Sequence, residues 1–287
     1  MKKQGKPKKQ FKPTPTTSNR KHFSAGKPQN KNFQYRPQRP APGGTMNPRE
    51  GRIVAGVHAV VEVLKVRPHA VTKLWLKNGV DLKAEPFSGI SQLIKKTNVE
   101  VQFKSGQQLD QICNSHQGIA AQVTETPKFT GIQENACYVI LDQIEDPHNL
   151  GAMLRTGWLL GVDAFFIPEH HSVGLTPTVH KVATGACEHV PVTSISSIKR
   201  LIADLKDKEF QVIGLSGEAK ETLFRTQFPK SIAFVIGSES DGLRKTTEES
   251  CDKLLAINQT TSQASFNASV ACAMVLSEWK RQTSFAM

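Results

Sequence analysis

From residue 50 onward, apolar positions recur in two rhythms that alternate along the chain. Val57 to Val66 carries Val60, Val61 and Leu64 at helical spacing and ends at Pro68, and VTKLWLK (71–77) then alternates as a strand. Residues 90–96 return to the helical period, and VEVQF and GIAAQVT read as two further strands. This predicts a small alternating α/β sandwich over 50–126. TPKFTGIQEN is rich in turn formers and breaks the periodicity, which places a connector at 127–135. Beyond it, the buried-type runs CYVILDQ, VDAFFIP, FQVIGLS, SIAFVIG and KLLAI are separated mostly by helical stretches, at 150–160 and 198–208 among others. A second α/β domain over 136–287 follows, a parallel sheet with helices on both faces. In such sheets ligands bind beyond the carboxyl ends of the strands, so the residues after each strand are the first candidates for chemistry.

Charge divides the chain at the same place. Residues 1–49 hold 13 Lys and Arg and no Asp or Glu, while 50–287 hold 24 basic against 25 acidic residues, so the net charge of +12 belongs to the tail. Rich in Lys, Pro, Gln and Asn with only Phe11, Phe23, Phe33 and Tyr35 as aromatics, that tail has too little apolar surface to offset ordering entropy. We expect it to be disordered and to contact RNA phosphates; a solubilising arm is the bland alternative. The five cysteines, Cys113, Cys137, Cys187, Cys251 and Cys272, are widely spaced without a C-x-x-C pair, which suggests neither a zinc site nor a disulfide framework. No apolar run reaches the about 18 residues of a membrane span. The basic N-terminus lacks a following apolar region, and Pro7, Pro13 and Pro15 oppose the helix of a transit peptide, so the cytoplasm is the expected compartment.

Three segments after strands stand out. In DPHNLGAMLRT, Pro147 stops the strand and Asn149 is placed to cap a helix carrying Arg155, which would reach back toward it; the plain alternatives are a structural cap and a surface ion pair. FVIGSESDGLR puts Gly237, Glu239 and Gly242 between a strand and a helix. An acid inside a glycine-rich turn repels a pyrophosphate and suits a cationic ligand, or else it serves only the helix dipole. LLAINQTTSQASFNASVACAMVLSEWKRQ runs from a strand through a polar loop into a helix, with Ser265 and Asn267 at the helix start, where either could cap. A loop as long as 258–264 is more than a structural connection needs.

In this order and near these spacings the three segments resemble the motifs of the SpoU branch of the SPOUT methyltransferases. The matching residues are Asn149-Leu-Gly151 with Arg155, Gly237-Ser-Glu239-Ser-Asp-Gly242, and Ser265-Phe-Asn267, with KVATGACEHVPV and GEAKETL between them. GRIVAGVHAV and HQGIAAQV look like the entry and exit of the small, ribosomal-protein-like RNA-binding domain of the family's ribosomal-RNA guanosine methyltransferases. The resemblance implies a C-terminal trefoil knot, a homodimer whose active site is completed across the interface, and S-adenosylmethionine held mainly by backbone at Gly237, Ile257 and Phe266. It also implies transfer to a ribose 2′-hydroxyl of RNA, ribosomal RNA being favoured over tRNA, with no metal required. Arg155, Asn149, Glu239, Ser265 and Asn267 are the catalytic candidates. A guanidinium stays protonated, so Arg155 is assigned to anchoring a phosphate and stabilising charge on the ribose oxygen, the proton acceptor being left open. Where relatives have Ile-Pro-Met this chain has Ile257-Asn258-Gln259, and Phe266 replaces the usual Leu. The lost proline is either tolerated drift, since backbone groups can still hold the cofactor, or a cause of weaker cofactor binding, and it is the sequence support for a rival reading, a non-catalytic knotted RNA-binding or ribosome-assembly protein.

Overall fold

Each stretch of alternation closes into its own sheet. The computed structural model describes residues 51–284 apart from 98, 115, 262 and 263, so the basic segment 1–49 lies outside the described residues. The first elements are β1 (Arg52–Ala55), α1 (Val57–Val66), β2 (Val71–Lys77), α2 (Ser88–Thr97), β3 (Val101–Lys104), α3 (Gly106–Ile112) and β4 (Ile119–Val123). They form a four-stranded sheet in the order β1-β4-β2-β3, antiparallel except where β3 joins β2. Helix α1 buries Val57, Ala59, Val60, Val63 and Leu64. Val61, expected among them, is only half buried, because it falls about 100° round the helix from Val60. Two elements escape the periodicity. Strand β1 is four residues long, and α3 starts from a capping box in which Ser105 Oγ accepts from Gln108 N and the Gln108 side chain accepts from Ser105 N.

The second half runs β5 (Cys137–Leu141), α4 (Pro147–Leu160), β6 (Ala164–Pro168), α5 (Pro177–Ala183), β7 (Val192–Ile195), α6 (Ile198–Lys206), β8 (Gln211–Leu215), β9 (Glu221–Thr222), β10 (Ile232–Ile236), α7 (Lys245–Glu248), β11 (Lys253–Ala256) and α8 (Ala268–Ser284). Its strands order as β7-β6-β5-β10-β8-β11-β9, and every neighbouring pair is parallel. The five expected strands all form; the two unexpected ones, β7 and the two-residue β9, lie at the sheet's two edges. Period-two alternation divides the core. Cys137, Val139 and Leu141 of β5 pack with α4, α5 and α8, and Tyr138 and Ile140 pack on the other face with α6. Among the described residues, no helix is long and apolar enough to cross a membrane.

The packing of α4 positions the site. A Cβ on Gly151 would lie 2.7 Å from Val182 Cβ and 3.1 Å from Val179 O, so α5 approaches α4 closely only because that residue is glycine. Farther along, Trp158 of α4 stacks on His189 with ring centroids 4.2 Å apart. The Gly151→Ala variant gains up to about 1 kcal/mol of helix propensity but forces overpacking worth about 1–3 kcal/mol. We expect urea melts to show a net loss of about 1–2 kcal/mol; an unchanged or raised midpoint would mean that the two helices are not in this contact.

Candidate active site

All seven parallel strands present their carboxyl ends along one edge, and three loops at that edge form the site. After β5, Asp142 is fully buried and the chain turns into α4 through Asp146, whose carboxylate accepts from the backbone N–H of His148 (3.0 Å) and Asn149 (3.3 Å). Pro147 occupies the first helical position, where its missing N–H costs nothing. The helix cap is therefore Asp146 and not Asn149. Asn149 sits in the first turn, and its amide is left for another purpose.

After β10 the chain closes a tight ring. Ser238 N donates to Gly242 O (3.0 Å) and Gly242 N donates back to Ser238 O (3.1 Å). A Cβ on Gly237 would overlap the carbonyl of Gly242, so glycine is required here by the loop's own backbone. Gly242 itself stands at φ 66°, the left-handed region that favours glycine. Asp142 straps the far end of the ring: its carboxylate accepts from Arg244 N (3.1 Å) and Nε (2.8 Å) and pairs with Nη2 at 2.7 Å. A buried carboxylate needs such a partner, since leaving it unpaired costs several kcal/mol, on the order of 3–5.

The third loop ends in Asn267, which caps α8. Its Oδ1 accepts from Ser269 N (2.9 Å), Ser269 Oγ (2.6 Å) and Val270 N (3.3 Å). With the oxygen committed to N–H donors, the amide nitrogen has one direction left, and it donates to Asn149 Oδ1 (3.0 Å) and to Glu239 Oε1. Asn149 Nδ2 completes a triangle by donating to the same Glu239 oxygen at 2.6 Å. Glu239 Oε2 has no hydrogen-bond partner among the described residues and faces a cleft of about 390 Å³ lined by Glu145, Asp146, Asn149, Ser238, Asp241 and Asn267, among others. That volume falls within the about 300–1,000 Å³ of small-molecule sites.

Of the residues singled out from the sequence, the structure thus joins Asn149, Glu239 and Asn267. It leaves five outside the cleft's lining. Gly237 directly precedes the ring, and Ile257 follows β11, packed on the core. Ser265 and Phe266 are exposed and precede the Asn267 cap. The expectation that Arg155 reaches back to Asn149 fails. Six residues carry it roughly 240° round α4, and among the described residues its exposed guanidinium makes no hydrogen bond or ion pair. Its neighbours Ala152 and Thr156 instead line a groove of about 600 Å³ between α4 and α8, with Phe224, Val270, Ala273 and Met274. Asp142, Asp146 and Arg244 were not anticipated. Only Asp146 had a local signal, an Asx residue directly before proline at a helix start.

Both halves of the chain match known proteins. Residues 136–277 match the SpoU rRNA methylase family, and residues 53–128 match the RNA 2′-O ribose methyltransferase substrate-binding family. The chain is 34% identical over 240 residues to the putative TrmH family tRNA/rRNA methyltransferase YacO of Bacillus subtilis, covering 80% of this chain and 95% of that one. It is 36% identical over 244 residues to the 23S rRNA (guanosine-2′-O-)-methyltransferase RlmB of Pectobacterium atrosepticum, covering 80% and 98%. Among solved structures, the SpoU methyltransferase AviRb from Streptomyces viridochromogenes superposes with a TM-score of 0.69 over 81% of this chain and 90% of its own, at 20% identity, a likeness of fold.

If the amide triangle is formed, its members are energetically coupled. A double-mutant cycle with Asn149→Ala and Asn267→Ala, read by urea unfolding, should return a coupling of about 0.5–1 kcal/mol on top of the about 1 kcal/mol that Asn267→Ala loses as a cap. Strict additivity would show that the two amides do not meet.

Proposed function

The chain belongs to the SpoU rRNA methylase family, and from that premise we propose that it methylates a ribose 2′-hydroxyl of RNA, a guanosine of 23S ribosomal RNA being the favoured target. The observation that carries this reading is the Asn149–Glu239–Asn267 triangle at the carboxyl edge of an all-parallel sheet. S-adenosylmethionine is the methyl donor. The residues present fit it: the cleft's lining holds Glu145, Asp146, Glu239 and Asp241 with no lysine or arginine, which suits a cationic sulfonium and repels a polyphosphate. When bound, the cofactor supplies a methyl group already strongly electrophilic, so the protein's own task is positioning. The two amides fix Glu239 Oε1 and leave Oε2 free to accept a hydroxyl hydrogen bond. Gly237, Ile257 and Phe266 bound the cofactor's side of the edge through their backbone. Ser265 is exposed just before the Asn267 cap.

Arg155 acts on the RNA. A free guanidinium on an exposed helix face is suited to hold a phosphate and to stabilise negative charge growing on the ribose oxygen, but it lies away from its own triangle. A homodimer resolves this. The α4–α8 groove exposes apolar and small side chains, with Val270 42% and Phe224 57% exposed, and a second copy seated on it brings Arg155 of one protomer to the cleft of the other. The return of α8 from β11 across to α4 supports a trefoil knot in the C-terminal half. We assign 136–287 to the methyltransferase domain, 127–135 to the linker, 50–126 to RNA capture and 1–49 to a basic tail, all working in the cytoplasm.

Methyl transfer from labelled S-adenosylmethionine to unmodified ribosomal RNA and tRNA, with wild type and Arg155→Ala, tests the reading. We expect label on ribosomal RNA ribose, a loss of about 10²–10³-fold in the variant, and retained cofactor binding. Label on tRNA alone would change the substrate; no label on either would overturn the activity. For the dimer, sedimentation equilibrium should give twice the chain mass for wild type and a monomer for Ala273→Glu, whose charge would be buried in the groove. A monomeric wild type contradicts the shared site.

A further inference from the structure

The two sheets meet at α5 through a cluster of charges that the chemistry of the cleft does not use. Glu188, 1% exposed in the turn after α5, receives the Arg52 guanidinium end-on: Nη1 donates to Oε1 at 2.7 Å and Nη2 to Oε2 at 2.6 Å. Arg67 adds a bond to Oε2 (3.2 Å) and one to the Glu188 carbonyl (2.7 Å). Arg52 also donates to the ring of His180 (3.2 Å to Nε2), which burial and the Arg52 charge hold neutral, its pKa well below the usual range. One carboxylate thus gathers two arginines from opposite ends of the β1–α1 segment, in the bidentate geometry that most narrowly fixes orientation.

A second tie runs alongside. Glu62 of α1 hydrogen-bonds to His189 (3.0 Å), and His189 is the ring stacked on Trp158 of α4, the helix that also carries Asn149 and Arg155. Backbone closeness makes both ties possible. Gly185, at φ 100°, has Glu62 packed where a Cβ would stand, and Gly56, at φ 93°, lies against Gln117 and Lys181. Gly56 and Gly185 therefore serve the junction.

We infer that Glu188 is a positioning residue for RNA: by clamping Arg52 and Arg67 it holds the four-stranded sheet at one fixed distance from the cleft, and that distance selects which ribose reaches Glu239. This rests on the methyltransferase reading above. The site is not altered by the clamp. What it sets is the effective concentration of the target ribose once the first sheet has engaged the same RNA, a quantity that falls steeply when two linked binding modules lose their fixed geometry.

The test uses the full chain with Glu188→Gln and, because an unbalanced arginine pair could disturb folding, Arg52→Met as a second variant. Hydrogen exchange should rise about tenfold in peptides spanning Arg52–Ala55 and Pro177–Ala183 while the β5 and β10 peptides stay unchanged. The KM for ribosomal RNA should rise about tenfold, with kcat within about twofold and S-adenosylmethionine affinity unaltered. An unchanged KM in a variant whose junction has loosened overturns the positioning role, as does a parallel loss of cofactor affinity. Exchange unaltered in both variants overturns the clamp. Should the wild type methylate no RNA, the functional reading falls by itself, and the exchange data still decide whether the clamp exists.

Discussion

One side-chain amide sets the geometry of the cleft. The oxygen of Asn267 is claimed by the N-terminal N–H groups of α8, donors that every helix must satisfy, and this commitment aims the nitrogen at Asn149 and Glu239. A cap that would otherwise be a purely local device becomes the hinge pin between α8, α4 and the ring after β10. The ring is held in turn by Asp142 and Arg244, and α4 by the close seat of Gly151 on α5. Each loop owes its placement to a residue whose first duty is structural.

The electrostatic layout follows the same economy. Acidic side chains line the cleft and carry no basic partner there, while the free arginine lies on the outer face of α4 beside an apolar groove. In the proposed reaction, one protomer thus keeps its acidic cofactor cleft and its phosphate-binding arginine on different surfaces.

What the sequence revealed, and what it hid, divides along the range of the interactions. Strands β5, β6, β8 and β10 were legible because burial on both faces leaves continuous apolar runs, and edge strand β7 was not because its polar Thr193 and Ser194 interrupt that signal. Asn149, Glu239 and Asn267 were legible through the spacing of their motifs, yet their mutual contacts were not, since nothing local says that residues 90 and 118 positions apart share an oxygen or an amide. The misplaced cap shows the limit from the other side: Asp146 and Asn149 are both good capping residues, and the proline between them decides in favour of the first. Arg52 and Glu188 pair across 136 positions and left no trace in periodicity or charge balance.

The position of β10 also bears on how the chain is made. It lies between β5 and β8, pairing Ile232 with Cys137 and with Gln211, so the centre of the sheet stays open until the tenth strand in chain order arrives. Until then the apolar edge of β5 has no neighbour on that side, and such non-local, parallel pairing is slow to form. The ribosome must deliver the chain through Ile236 before the sheet can close, and Asn267 comes later still. While the roughly 90 residues between Leu141 and Ile232 are made, the nascent protein carries an unpaired strand edge in its interior, a condition that exposes a chain to aggregation.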